Sequence, residues 1–535
     1  MRWLRSPWLW LVCLLLAAAG LKVWLLSIQA FPFNSDEAIV GLMARHILLG
    51  ERPVFFYGQA YMGSLDAWLV AGAFMIFGSQ VWAIRLVQII LYLLTIIATI
   101  FTGKVAFRSW KQGLLAGGFL AIPAVNTTLY TTVSLGGYGE ALLLGSLGLL
   151  TGFWMLERED LRSPLWLGLW GILLGLGLWA NALALVFFLP MGIALLRRMF
   201  RAKSPGRMGW QFLLGLTGFG LGAAPWWFYA AQNGFSHLMA EMGGTAVAVE
   251  QVSWLQRAAA HLVNLVILGF PAAIGLRPPW EVRWLALPLL PVALFFWLAV
   301  LVFLFPQPKQ KREFREAYRI LGGIVMSLGV LFVTTPFGVD PSGRYFLPLV
   351  IPLGLGGAGM ILHWSRDRRW VQPVLMAAIL IFQFWGVLES ALLPGPGITT
   401  QFYQPAQVNQ QALPELMEFL STHGETTGFT NYWVAYPLAF RSDEELIFSP
   451  ALPYHPDLRY TARDDRYQPY TDRVKAAKQA AYITTRNPEL DKKLSAEFSR
   501  LGLKWQETWI GEFHVFHALS RYVGPEELDL GEMQP

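Results

Sequence analysis

Two adjacent carboxylates, Asp36 and Glu37, stand directly after the first long apolar stretch of the sequence. Charge beside a membrane is costly unless it is paired or used in function. A carboxylate there can act as a general base and remove a proton from an acceptor hydroxyl or amine. A second acid nearby can raise the pKa of the first or help to hold a cation. Asp36 is therefore the candidate base, and Glu37 is a candidate supporting acid.

The same residues also fit the beginning of a helix. Asn34 or Ser35 can serve as the N-cap, and acids in the first turn interact favourably with the helix macrodipole. This structural interpretation is compatible with the catalytic one, because the start of a helix can also fix a catalytic acid.

Glu140 is the second candidate acid. It follows two glycines and Tyr138 at the predicted external mouth of an apolar span. There Glu140 could meet Asp36 across a cavity, or it could be only a charge at the end of a span. Tyr138 could contact a substrate, although an aromatic residue at this depth is commonly an anchor in the membrane interface.

Arg344 and Arg85 are the candidate phosphate ligands. Arg344, followed by Tyr345, enters the external end of a span, where no topology rule requires a cation. A guanidinium group forks well onto a phosphate. A salt bridge from Arg344 to Asp340 is the alternative, and Arg85 has the same ambiguity. Tyr345 is a further candidate contact to the substrate.

The segment 57–68 is rich in glycines and aromatic side chains, which suit a close-fitting loop that stacks on a sugar ring. Tyr61 and Asp66 are its candidate substrate contacts. The alternative for Asp66 is a cap of the helix predicted over 65–78.

The composition limits the class of protein. Of the 535 residues, 55% are hydrophobic and 14% are charged, whereas soluble domains have about a quarter charged. The net charge of +6 lies in short loops, where it signals topology and not nucleic-acid binding. The single cysteine, Cys13, excludes an internal disulfide, and no metal-binding or nucleotide-binding motif occurs. No cofactor is indicated, although carboxylates could hold a divalent cation.

Apolar runs of about 20 residues predict an all-α polytopic membrane fold. The eleven predicted spans are 7–30, 81–103, 112–131, 138–156, 163–179, 181–197, 209–230, 284–305, 319–335, 344–362 and 371–392. Lys and Arg residues concentrate in alternate loops, which places those loops and the N-terminus in the cytoplasm. The basic residues of these loops include Lys104, Arg108, Lys111, Arg158, Arg162, Lys203, Lys309, Lys311, Arg312, Arg366 and Arg368. An odd number of spans places the C-terminus outside.

The segments between and after the spans predict further structure. Residues 31–80 form an external loop with two interfacial helices, 36–50 and 65–78. Residues 231–283 are also external, with a helix that dips into the interface. Pro394-Gly395-Pro396-Gly397 divides a membrane domain, 1–393, from a small external α/β domain, 394–535. In that domain we predict helices over 413–420 and 488–501 and strands over 446–448, 481–484 and 513–516.

An ordered set of short motifs carries a family resemblance. The set comprises Asp36-Glu37, Gly50, Pro53, the Gly/aromatic loop, Phe77-Gly78, Trp82-Ala83-Ile84-Arg85 and Arg344-Tyr345-Phe346-Leu347-Pro348. Together these motifs resemble the fold C (GT-C) glycosyltransferases, specifically the group of protein O-mannosyltransferases and lipid A aminoarabinose transferases. The resemblance covers roughly residues 1–390 and is strongest over 31–86.

The resemblance implies a multispan fold, a sugar donor linked to polyprenyl phosphate, and transfer with inversion at the anomeric carbon. Asp36 matches the first-loop acid that serves as base in the family, and Glu37 matches its neighbour. Glu140 falls where related enzymes carry a second external acid, and Arg344 falls on the late Arg-Tyr motif near the carrier phosphate. Many relatives have Lys-Pro in the loop that here reads Gly58-Gln59-Ala60-Tyr61, so this chain departs from the pattern there.

These observations predict an inverting glycosyltransferase on the external face of a cell membrane. The partners are a polyprenyl-phosphate sugar donor, a lipid, glycan or protein acceptor, and the surrounding membrane lipids. A transporter or lipid flippase is the first alternative; it requires polar residues within the spans, and Lys22 is one of the few. A catalytically silent assembly or sensor protein is the second alternative.

Overall fold

The computed structural model describes residues 6–157, 165–201, 205–241, 253–305, 314–392, 397–455, 457–530 and 533–534. The chain forms two compact units. The first unit comprises 1–30, 60–66 and 85–393, and the second comprises 31–59, 67–84 and 394–535. The predicted boundary at 393/394 stays a prediction, and 394–396 of the Pro-Gly linker lie outside the described residues.

Apolar helices dominate the chain. Within the described ranges, eight helices are long and apolar enough to cross a membrane. They are Pro7–Ser27, Val81–Ala106, Tyr138–Glu157, Ala182–Arg201, Leu287–Leu304, Arg315–Thr334, Arg344–Trp364 and Val371–Ala391. Each coincides with a span predicted from the sequence, so the prediction of a polytopic helical membrane protein is confirmed.

The count of eleven spans is not confirmed, because the other three predicted spans are broken or short. The span at 112–131 consists of Trp110–Ala121 and Val125–Tyr130, with Pro123 between them. Proline has no N–H group to continue the helical bonding. The span at 163–179 is the 16-residue helix Leu165–Ala180. The span at 209–230 divides into Pro205–Gly222 and Ala224–Asn233, and Pro225 stands in the first turn of the second helix.

Several smaller elements follow. Within the described part of the segment 231–283, the helices are Phe235–Ala240, Trp254–Val263 and Phe270–Ala273, with a π-helical turn over Asn264–Gly269 between the last two. The basic residues Arg158, Arg162, Lys203, Lys309, Lys311 and Arg312, which were used to orient the spans, lie outside the described residues.

Helices Leu165–Ala180 and Pro205–Gly222 pack with their backbones in contact. A Cβ atom added at Gly171 would lie 2.1 Å from the Gly215 carbonyl oxygen, and one added at Gly218 would lie 2.1 Å from the Gly168 carbonyl oxygen. No side chain fits at these points. Small residues on facing helices allow this close approach in membranes, where packing drives association.

The second unit contains two predicted helices, observed as Ser35–Leu48 and Leu65–Phe77, the latter beginning in the first unit. Its C-terminal part is an α/β fold around a five-stranded sheet. In spatial order the strands are Ile447–Ser449, Thr427–Phe429, Ala481–Thr485, Phe513–His517 and Gln506–Ile510. The first three strands are parallel and the last two run antiparallel to their neighbours.

The helices of this sheet region are Leu413–Thr422, Tyr432–Arg441, Gln468–Lys475 and Pro488–Arg500. Leu416, Leu438, Phe448, Ile483 and Val515 belong to one buried apolar core. Pro488 stands in the first turn of its helix, where its missing N–H is not needed. The predicted helices over 413–420 and 488–501 and the three predicted strands are confirmed.

Candidate active site

Asp36 and Glu37 lie in the first turn of the helix Ser35–Leu48. The Asn34 side chain is the N-cap and accepts a hydrogen bond of 2.9 Å from the Glu37 backbone N–H. Glu37 is completely buried, whereas Asp36 is half-buried. The capping interpretation is therefore correct for Asn34, and it leaves the Asp36 carboxylate accessible at a fixed helix end.

The Asp36 carboxylate has a partner far along the chain. The Tyr432 hydroxyl donates a hydrogen bond of 2.5 Å to Asp36 Oδ1, across a separation of 396 residues. Ser35 Oγ donates to the Tyr432 carbonyl oxygen. Burial, and then the negative charge of Asp36, raise the pKa of Tyr432 well above its usual range. Tyr432 therefore stays protonated at neutral pH and remains a hydrogen-bond donor.

Further polar groups of the second unit surround this pair. The Arg466 guanidinium lies 5.4 Å from the centre of the Tyr432 ring. When its amide oxygen faces Arg466, Gln59 accepts hydrogen bonds of 2.6 and 2.8 Å from the two Nη atoms. Burial raises the pKa of Asp464 to about 7, with a smaller contribution from Asp36, while Arg466 opposes the shift. Sequence reasoning missed Tyr432, Arg466 and Asp464, because nothing local marks a contact over about 400 residues.

Asp66 and Glu140 lie together in the first unit, and both are buried. Gln88 Nε2 donates a hydrogen bond of 2.9 Å to Asp66 Oδ1, and Ser134 Oγ donates to Asp66 Oδ2. Glu140, in the first turn of Tyr138–Glu157, interacts electrostatically with Asp66. Ionising two adjacent buried carboxylates together is energetically unfavourable, so such a pair tends to share a proton or a cation. Asp66 also lies in the first turn of the helix Leu65–Phe77, and Glu140 lies in the first turn of its span, as the helix-start and end-of-span interpretations expected.

A cation has limited ligands here. No group of three or more His, Cys, Asp or Glu side chains that could hold a metal ion occurs among the described residues. The divalent cation that the sequence left open therefore stays a prediction.

Three of the predicted substrate contacts line one cavity in the first unit. Tyr61, Tyr138 and Tyr345 surround a space of about 220 Å³ together with Asn181 and Phe337. The Phe337 ring centre lies 5.9 Å from that of Tyr61 and 5.5 Å from that of Tyr345. Tyr138 is buried, so it is not an exposed interfacial anchor.

A larger slot shares two lining residues with this cavity. Its volume is about 580 Å³, and it runs between the helices Leu165–Ala180, Ala182–Arg201 and Pro205–Gly222. Leu185 and Leu331 line both spaces. The other lining residues of the slot, apart from Gln211, are glycines, aliphatic residues, Met199 and the aromatic residues Trp170, Phe188, Phe212 and Phe219.

Arg344 is the first residue of the span Arg344–Trp364, which begins with a 3-10 helix over Arg344–Leu349. Its Nη2 atom forms an ion pair of 2.5 Å with Asp340, and its guanidinium lies 5.1 Å from the centre of the Tyr345 ring. The salt bridge expected as the alternative is thus present. The buried Nε atom of Arg344 has no hydrogen-bond partner among the described residues. Arg85 is buried in the helix Val81–Ala106, and its role stays a prediction.

Arg277, which sequence reasoning did not select, holds the loop that precedes Arg344. It is completely buried and donates to the carbonyl oxygens of Leu268, Pro278 and Pro341. Burial lowers the pKa of Arg277 to about 10. It therefore keeps its charge at neutral pH while it fixes the loop.

This arrangement of helices is the GT-C glycosyltransferase fold, and the chain is an integral membrane protein with several spans. The comparison that identifies the fold is structural. ArnT from Cupriavidus metallidurans, bound to undecaprenyl phosphate, matches with a TM-score of 0.58 at 13% sequence identity. The match covers 95% of this chain and 97% of that one.

A second similar structure is the oligosaccharyltransferase from Archaeoglobus fulgidus in its apo form. It matches with a TM-score of 0.56 at 11% identity and covers 93% of this chain and 72% of that one. No protein-family model and no curated protein sequence matches the chain. At these identities the likeness establishes the fold alone.

Proposed function

We propose that this protein is an inverting glycosyltransferase that takes its sugar from a polyprenyl-phosphate donor. The apolar slot and the tyrosine-lined cavity, which share Leu185 and Leu331 as lining residues, carry this proposal. A prenyl chain needs an apolar groove, and a sugar ring packs well on aromatic faces among a few polar groups. The ArnT structure with the same fold was solved with undecaprenyl phosphate bound, which supports this class of ligand.

The proposed reaction needs a base and a site for the leaving phosphate. Asp36 removes the proton from the acceptor, whose oxygen or nitrogen attacks the anomeric carbon from the side opposite the phosphate. The bond between the anomeric carbon and the phosphate oxygen breaks, and the polyprenyl phosphate leaves with the electron pair. Arg344 supplies positive charge for that phosphate, and its Nε atom, which has no hydrogen-bond partner among the described residues, is a donor for it.

The remaining predicted residues take supporting roles in this proposal. Tyr61, Tyr138 and Tyr345 contact the sugar, because they line the cavity that shares Leu185 and Leu331 with the slot. Glu37 and Glu140 are supporting acids, Asp66 is a further contact to the substrate, and Arg85 is a second cation. The acceptor is a lipid, glycan or protein at the external face, and comparing the envelope glycans and glycoproteins of cells with and without this protein by mass spectrometry identifies it.

A transporter or flippase has less support in the structure. That alternative depended on polar residues along a path through the spans, of which Lys22 was one. Lys22 is buried, and its Nζ donates hydrogen bonds of 2.7 to 2.8 Å to the Thr131 carbonyl and to the hydroxyls of Thr131 and Thr132. These bonds link the helix Pro7–Ser27 to the C-terminal end of the helix Val125–Tyr130.

The slot can be tested by enlarging Leu331, a side chain that lines both spaces. Leu331→Trp should weaken the binding of undecaprenyl phosphate by about tenfold, equivalent to about 1.4 kcal/mol, and should affect farnesyl phosphate less. Val330→Trp is the matched control, because Val330 is an exposed neighbour outside both linings. Equal effects of the two substitutions, or none on either ligand, would contradict a prenyl chain in this slot.

A further inference from the structure

Two helices of the second unit lie side by side with their N-termini at the same end. The Phe440 ring packs on Gly41, where an added Cβ atom would come within 2.5 Å of the ring. Further along, Arg45 forms an ion pair of 2.7 Å with Asp443, and His46 Nε2 lies 3.1 Å from Glu444 Oε2. The helix Ser35–Leu48 is therefore held along its length by residues of the C-terminal region.

This pairing fixes where Tyr432 meets Asp36. Ser35 and Asp36 begin one helix, and Tyr432 begins the other. The backbone of Tyr432 is held by the Ser35 hydroxyl, and its side chain, which is 2% exposed, can reach Asp36 in only a narrow range of positions. The hydroxyl bonds one carboxylate oxygen, Oδ1, so the other oxygen is available to take a proton.

We propose that the C-terminal α/β region is part of the active centre and that its Tyr432 is a positioning residue for the Asp36 carboxylate. The inference rests on the proposed function, in which Asp36 is the base. Correct placement of a reacting group to within about 1 Å can be worth about a hundredfold in rate. The Tyr432 hydroxyl places the Asp36 carboxylate in this way. Tyr432 lies outside the first loop, so no motif of that loop identifies it.

The hydroxyl is not required to join the two helices. The Phe440 contact, the two pairs at Arg45 and His46, and the Ser35 bond to the Tyr432 backbone hold them together. Phenylalanine would keep the volume of the Tyr432 ring and remove only the bond to Asp36. A purely structural role therefore predicts a small effect of that change on transfer.

The experiment is a double-mutant cycle in the full-length protein with a radiolabelled polyprenyl-phosphate sugar donor and cell-envelope acceptor. Tyr432→Phe should lower kcat by about tenfold to a hundredfold, with KM for the donor changed less than about twofold. Asp36→Asn should abolish most transfer, by about a hundredfold or more. In the Asp36→Asn background, Tyr432→Phe should add no further loss, since the carboxylate that it positions is gone.

Tyr482→Phe is the matched control, because it removes another buried tyrosine hydroxyl. That hydroxyl donates a hydrogen bond of 2.7 Å to the Val523 carbonyl oxygen and not to Asp36. It should leave kcat unchanged. If Tyr432→Phe keeps wild-type kcat, or lowers it equally with and without Asp36, the positioning role is wrong while Asp36 as base still stands. If Asp36→Asn retains full transfer, the proposed function fails instead, whatever Tyr432→Phe does.

Discussion

A buried carboxylate is informative because its surroundings determine its protonation. Asp464 lies close enough to Asp36 and Arg466 for each to influence its charge. Asp36 could be selected from the sequence because it follows the first apolar span. Asp464 and Tyr432 could not, because their significance depends on contacts that form only in the folded protein.

Asp464 predicts a measurable pH dependence of stability. Its pKa is about 7 in the folded protein against an ordinary value of 3.8, chiefly because of burial. The folded state thus binds the proton more tightly, so this stabilisation is complete below about pH 4 and is lost as the pH rises through about 7. Asp464→Asn cannot ionise, and each unit of pKa shift is worth about 1.4 kcal/mol.

Thermal unfolding of the full-length protein in detergent measures this effect. The melting temperature of Asp464→Asn minus that of the unmodified protein should be several degrees more positive at pH 8 than at pH 5. Glu489→Gln, which removes an exposed carboxylate, controls for the loss of one negative charge. The same difference at both pH values for Asp464→Asn would show that Asp464 is not the titrating group.

At the scale of elements, the apolar runs predicted where helices lie better than how they are interrupted. All eight long apolar helices were predicted within a few residues of their observed ends. The break near Pro123 and the short helix Leu165–Ala180 show why hydropathy alone overstates continuous spans. The order of the five strands could not be predicted, because Thr427–Phe429 pairs with strands on both sides that follow it in sequence.

The slot depends on the glycine contact between Leu165–Ala180 and Pro205–Gly222. Gly218→Ala should push these helices apart, because its Cβ would lie 2.1 Å from the Gly168 carbonyl oxygen. We expect a lower melting temperature and weaker binding of undecaprenyl phosphate. Gly220→Ala on the same helix meets nothing within 4 Å and should be neutral. Equal behaviour of the two variants would exclude close helix packing as the determinant of the slot.

At the scale of the whole molecule, each compact unit is built from segments that lie far apart in the sequence. Residues 31–59 and 67–84, which were predicted to belong to the membrane domain, share a compact unit with the C-terminal region. The contact of Gly41 with Phe440 shows the reason, since helix pairing over about 400 residues leaves no local signal. The motifs that contain Asp36 and Asp66 were recognisable in the sequence, yet the two residues belong to different compact units. The predicted convergence of Asp36 with Glu140 and Arg344 stays a prediction.

The predicted topology can be measured directly because the chain has a single cysteine, Cys13. In a Cys13→Ala background, Ser421→Cys lies on the exposed surface of the C-terminal α/β region and Arg366→Cys lies in an exposed loop between two spans. The excess of Lys and Arg in alternate loops places residue 366 in the cytoplasm and residue 421 outside. A membrane-impermeant maleimide should therefore label Ser421→Cys in intact cells and Arg366→Cys only after permeabilisation. The reverse pattern would place the C-terminal region in the cytoplasm, where the proposed external reaction could not use it.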